Sequence, residues 1–240
     1  MSTNNKSNNQ IDMPIVEHLE ELREKIIISI IIFISITTIC FLEIKYIIYI
    51  LQQPANGIKF LQLAPGEYLF SSIKVAIYTG LLISFPAIIY QIISFILPGL
   101  TIQEINYILP LIISSIFLFF TGIIFSYKVL VPAAIRFLIN YGSDVIEPLW
   151  SLEEYFNFII LLLFSTGISF QIPIIQIILG LSNIISSQQM LKYWKYAIFF
   201  ATIFGAIVTP STDPITQICI SSAVLFLYFI GCIILKFLNK

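Results

Sequence analysis

The sequence predicts an all-α polytopic membrane protein of six transmembrane helices with both termini on one side, and three observations predict it. First, 58% of the 240 residues are hydrophobic and only 10% are charged, at a mean hydropathy of +0.98. A soluble domain carries nearer a quarter charged residues, because it must cover its core with solvated side chains. Second, the apolar residues gather in runs, and a run of about 20 helical residues crosses a hydrocarbon layer of about 30 Å. Third, of all the charged side chains only Lys74 falls inside one of these runs. Lipid is the solvent that accepts such a surface, so the bilayer itself is the chain's first partner. A polar N-terminal stretch over 1–12 precedes a single transmembrane domain over 13–240. The net charge of −1 offers no basic field to nucleic acid.

The elements follow in order. The opening decapeptide MSTNNKSNNQ has no basic start, apolar stretch and cleavage site of a secretory signal. The expectation is a product made in a bacterium or inside the organelle that encodes it, and the isoleucine bias points to an A+T-rich genome. Asp12 can cap a helix and Pro14 fits its first turn. Ile15, Leu19, Leu22 and Ile26 then form one apolar stripe, so this helix lies at the interface and runs into the first span, 26–42. Glu17, Glu20, Glu21 and Glu24 cover its other faces; Lys25 can offset Glu21 at i+4, and Arg23 can pair with Glu20.

The second span is expected at 72–97, with Pro86 inside, and the third at 105–126. The fourth covers 155–180 and holds Pro173, where proline kinks the helix and frees a carbonyl. The fifth, 196–208, is short and could be re-entrant; it counts as a span because Lys192 and Lys195 precede it and TPSTDP follows it. The sixth covers 215–235. Six spans put both termini on one side, with Lys6, Arg23, Lys25, Lys192, Lys195, Lys236 and Lys240; the far side holds Lys45, Lys59, Lys74, Lys128 and Arg136. The far side also has the long connections, 43–71 and 127–154, so the positive-inside rule places the termini in the cytoplasm or its organelle equivalent.

Cys40, Cys219 and Cys232 all sit in apolar runs without metal or redox spacing and read as small buried hydrophobes. His18, the only histidine, cannot build a metal site or a dyad and reads as an interfacial residue. No His cluster, acid pair, Ser–Lys dyad or phosphate loop lies beside a span, so the chain reads as a non-enzyme needing no cofactor and no metal. A secondary transporter or channel for a small solute is the competing reading. The lack of an internal repeat and of mid-span charge speaks against it.

Four segments go further. Residues 15–23 read IVEHLEELR, 95–110 FILPGLTIQEINYILP, 169–174 SFQIPI and 209–217 TPSTDPITQ. In this order on a six-span plan, over nearly the whole chain, they make it resemble TatC, the polytopic subunit of the twin-arginine (Sec-independent) protein translocase. The resemblance implies a curved helical scaffold that receives folded precursors bearing a twin-arginine signal and moves them using the proton gradient.

By resemblance, the arginine pair is bound by Glu21 and Glu104. Two carboxylates suit permanently charged, forked guanidinium groups better than they suit point-charge lysines. Phe95, Pro98 and Leu100 would shape the groove beside them, with Leu22 and Arg23 belonging to the same motif. Gln171 stands where the family carries Glu or Gln, in the concave face where single-span TatA- and TatB-type partners dock. A neutral amide there cannot ionise, which puts a proton-relay role in doubt. Gln217 raises the same question and could face Gln171. Asp213 matches a far-side family acid but reads first as the N-cap of the sixth helix, while Glu67 and Lys74 match charged far-side positions. Other TatC copies are further expected partners. The composition and Gln171 resemble plastid and cyanobacterial relatives and point to the thylakoid membrane, with a bacterial or mitochondrial inner membrane as alternatives.

Overall fold

The acidic N-terminal segment is not a separate element but the first turns of a membrane helix. The computed structural model describes residues 15–96, 108–142, 149–182, 184–209 and 213–238. Helix α1 runs unbroken over Ile15–Leu42, as the stripe that continues into the first apolar run requires. Asp12 and Pro14 lie outside the described residues. A single residue, Glu43, separates α1 from α2 (Ile44–Gln52), which ends in a 3-10 turn at Gln53–Ala55. Strand β1 (Lys59–Leu61) precedes α3 (Glu67–Ile96), which passes through Pro86 without ending.

Then come α4 (Ile108–Phe125), a π-helical turn over Ser126–Leu130, α5 (Val131–Gly142) and β2 (Leu149–Ser151). The chain closes with α6 (Leu152–Ser169), α7 (Ile172–Leu181), α8 (Ser187–Lys192), α9 (Trp194–Val208) and α10 (Pro214–Phe237).

Three boundaries depart from the sequence expectation. The connection 127–154 is helical as far as Gly142, because Val131, Ala134 and Ile135 are buried on one face of α5 while Arg136 points out. The two cations there had read as loop charges. The fourth run is broken into two helices rather than bent within one: Pro173 has no N–H, and its ring clashes with the carbonyl four residues back, while the two together still form one apolar stretch. The backbone therefore turns at Phe170–Gln171, with Gln171 N–H donating to Ile168 O at 2.9 Å. The connection 43–71 likewise holds α2, β1 and the first turn of α3 rather than open loop.

Among the described residues five stretches are long and apolar enough to cross a membrane: His18–Leu42, Glu67–Phe95, Leu109–Tyr141, Leu152–Leu181 and Pro214–Phe237. At 15 residues α9 is shorter. Of the α6–α7 window 61% is buried inside the protein, against 6% of the α1 window. The pair α6–α7 is therefore the central post, and α1 is a peripheral helix that packs chiefly on α3 and gives its other faces to lipid.

The core gathers Val75 and Leu82 of α3, Phe119 of α4, Leu130 and Ile135 beyond it, Phe156, Ile159 and Leu162 of α6, and Ile220 of α10. Phe119 stacks face to face on Phe85 at 3.6 Å between centroids. A second cluster joins α7, α8 and α10 through Ile174, Ile177, Met190, Cys232 and Leu235.

At the far side the strands pair in parallel, Phe60 opposite Trp150. The hydroxyls of Tyr127 and Tyr155 donate to Ile50 O and Leu51 O, each at 2.7 Å. A helix leaves its last carbonyls unpaired, and here side chains from two other elements satisfy them, fixing α2 across the end of the bundle.

Candidate functional site

Two helix ends meet on the near side. His18 and Glu21, at i and i+3, share a face of α1, and Phe95 is in the last turn of α3. The imidazole of His18 stacks on the Phe95 ring, with centroids 4.3 Å apart and planes 13° from parallel. His18 Nδ1 lies 4.0 Å from Glu21 Oε2, a distance for electrostatic attraction but too long for a hydrogen bond. Glu21 keeps 26% of its side chain exposed, so its carboxylate is within reach of a ligand. Leu22 is half-buried and Arg23 exposed.

Among the described residues Lys74 and Glu153 form an ion pair; the expected pairs Arg23–Glu20 and Glu21–Lys25 do not form. The structure thus places Glu21 and Phe95 on either side of His18. Glu104, Pro98 and Leu100 lie outside the described residues. His18, set aside in the sequence as an interfacial residue, is the contact that joins the two helices here. The signal available was its place one turn before Glu21; its stacking partner, far along the chain, was not readable.

At membrane depth Gln171 is buried and answered by α4. The Ser115 hydroxyl donates to Gln171 Oε1, and Gln171 Nε2 donates to Ser115 O at 3.1 Å. Gln217 does not face it. Gln217 is half-buried against α9, where its backbone oxygen closes on Gly205. The expected pairing of the two glutamines gives way because Gln171, at the α6–α7 break, turns toward α4 while Gln217 lies one turn into α10, beside α9.

On the far side, Glu67 is a tie between elements. Its carboxylate accepts from Leu63 N at 2.5 Å, Ala64 N at 3.2 Å, Ser151 Oγ at 2.8 Å and Glu153 N at 3.1 Å. Four donors converge on one acceptor-only group, which an ionised carboxylate satisfies with both oxygens. Lys74 pairs with Glu153, so both charged positions of α3 are occupied by the start of α6. Asp213 is wholly buried as the N-cap of α10, accepting from Ile215 N at 3.0 Å and from the Thr216 hydroxyl at 2.7 Å. Pro214 follows at the first helical position. Among the described residues no three His, Cys, Asp or Glu side chains gather where they could hold a metal ion.

These positions can be set beside known proteins. The family model for the Sec-independent protein translocase protein TatC matches residues 17–222. The chain belongs to the TatC family. It is 65% identical over 237 residues to a TatC-like protein, ycf43, of Gracilaria tenuistipitata var. liui, covering 99% of this chain and all of that one. It is 50% identical to the Sec-independent protein translocase protein TatC of Synechocystis sp., covering 93% of this chain and 89% of that one. It is 45% identical to the chloroplastic TatC of Arabidopsis thaliana, covering 95% of this chain and 68% of that one. Among solved structures, the crystal structure of the twin arginine translocase receptor TatC superimposes with a TM-score of 0.81 at 34% identity, over 93% of this chain and all of that one.

As a TatC protein the chain is a component of a Sec-independent protein translocase, a transport rather than a catalytic function. With its apolar helices and its TatC-like relatives, it is a multi-pass integral protein of plastid membranes.

Proposed function

We propose that this chain is the subunit that reads twin-arginine signals, with Glu21 and Glu104 as the two guanidinium acceptors and Phe95, Pro98, Leu100 and Leu22 as the apolar wall beside them. The observation that carries the reading is the junction of α1 and α3, where His18 stacks on the Phe95 face and turns a nitrogen toward the accessible carboxylate of Glu21. A guanidinium can stack on such a face while it bonds the carboxylate in a fork, and an ammonium can do neither as well.

On this reading α9 is the fifth of six spans, the termini face the stroma, and the membrane is the thylakoid. Single-span TatA- and TatB-type subunits dock along the membrane face. There a groove of about 400 Å³ opens among Ile172, Tyr196, Phe200, Phe204 and Tyr228. Transport energy is the proton gradient.

The test is photocrosslinking in native membranes from a probe set in the signal beside the arginine pair, using a precursor with an Arg-Arg signal beside the same precursor with Lys-Lys. Crosslinks to Arg-Arg alone are expected, and they should be lost in Glu21→Ala and Glu104→Ala at unchanged membrane insertion. Unchanged crosslinking in both variants rules the assignment out.

A further inference from the structure

The stack of His18 on Phe95 has the form of a bound ligand. A planar, nitrogen-bearing ring lies on an aromatic face with one nitrogen turned toward a carboxylate, at 4.3 Å and 4.0 Å respectively. Those are the contacts an arginine side chain would make in the same place, stacked on Phe95 and paired with Glu21. We propose that His18 is a placeholder for a guanidinium: it occupies the Phe95 face in the unliganded protein and is displaced when the signal's arginine arrives. The inference rests on the receptor reading above and adds to it a residue that sets affinity and selectivity.

Three features support displacement over permanent attachment. The nitrogen stops short of hydrogen-bond distance from Glu21, so the ring is held by stacking rather than by a closed ion pair. The His18 side chain is 44% exposed, so a path to solvent is open and its removal leaves no cavity in a core. No internal arginine takes the place: Arg23, two residues beyond Glu21, lies off that face of α1 and is exposed. A lysine signal gains less from the vacated face, because an ammonium cannot stack as a plane. Displacing the ring therefore costs both signals alike, while only the guanidinium recovers the stack.

The experiment titrates an Arg-Arg signal peptide carrying a photoprobe beside its arginine pair, with a Lys-Lys peptide alongside, and reads crosslinking to the chain in native membranes. The full-length chain is used as wild type, His18→Ala and His18→Phe, with insertion verified for each. His18→Ala should lower the half-saturating Arg-Arg concentration about 2- to 10-fold, the range set by losing one aromatic stack as competitor. His18→Phe, which keeps a ring on Phe95, should bind no more tightly than wild type. Weaker or unchanged binding by His18→Ala, while wild type still prefers Arg-Arg, overturns the placeholder and leaves the receptor reading standing. Equal tightening by both variants also overturns it. A wild type without preference for Arg-Arg removes the receptor reading, and the placeholder with it.

Discussion

Gln171 shows how much one side chain can settle inside a membrane. Its amide uses both ends on Ser115, accepting from the hydroxyl and donating to the carbonyl, and hydrocarbon offers no substitute for either bond. Glutamate at this position keeps the acceptor but loses the donor, and sets carboxylate oxygen against the Ser115 carbonyl. Gln171→Glu should therefore lower stability by about 1–3 kcal/mol, read as a fall in the thermal unfolding midpoint of the purified protein in detergent. An unchanged midpoint would mean that the pair is not closed in the membrane protein. The sequence made it clear that a glutamine beside Pro173 needs a partner. It could not name Ser115, 56 positions away, because no periodicity links two helices whose relative rotation is set by packing. Glu67 was legible only as a charged position for the same reason. Its donors come from its own N-terminal turn and from β2–α6, and only the folded chain brings them together.

At the scale of elements, the apolar runs gave the helices and punctuation gave their ends. Asp213–Pro214 starts α10 as a cap and first-turn proline should. The helix α5 escaped notice because Lys128 and Arg136 interrupt the hydropathy, although Lys128 is exposed on the π-helical turn before it and Arg136 on its own surface. What the runs could not show is which helices touch. Helix α1 comes close to α3 at Gly80, where an added Cβ would lie 2.2 Å from Thr37 Oγ1 and 2.8 Å from the Thr37 Cα. The hydroxyl can rotate but the backbone cannot, so Gly80→Ala must push the helices apart. It should cost about 1–3 kcal/mol and weaken crosslinking of the Arg-Arg signal to the chain, since Glu21 and Phe95 ride on different helices. Adding Thr37→Ala removes the 2.2 Å contact but not the one to Cα, so it should rescue the crosslinks only in part. Full crosslinking in Gly80→Ala would separate the site from this helix pairing. Glu67→Ala makes the complementary case on the far side. It leaves the Ser151 hydroxyl and three backbone N–H groups without their acceptor and should also cost about 1–3 kcal/mol, with no loss of Arg-Arg crosslinking, because α1 and the end of α3 are untouched.

For the molecule as a whole, the decisive element is the shortest of the six candidate spans. Helix α9 has 15 residues, about 22 Å at a rise of about 1.5 Å each, against a hydrocarbon core of about 30 Å. If it crosses, Lys195 must snorkel at one end or the bilayer must thin locally; if it turns back, the C-terminus lies opposite the N-terminus. Packing favours crossing, because α9 lies along α10 with Gly205 closed against Gln217 O and Ala201 O accepting from Ser221 Oγ at 3.1 Å. A helix held along a full-length span runs antiparallel to it through the same layer. Charge favours the same answer, since Lys192 before α9, Lys195 in its first turn and Lys236 at the end of α10 then share a side with Lys6 and Arg23. The prediction is read with a membrane-impermeant maleimide on single added cysteines. Lys6→Cys and Lys240→Cys should label from one side of sealed vesicles, and Asn56→Cys only from the other. Labelling of Lys240→Cys together with Asn56→Cys would make α9 re-entrant and put the end of α10 opposite the junction of His18, Glu21 and Phe95, leaving that junction as the recognition face without the C-terminal lysines beside it.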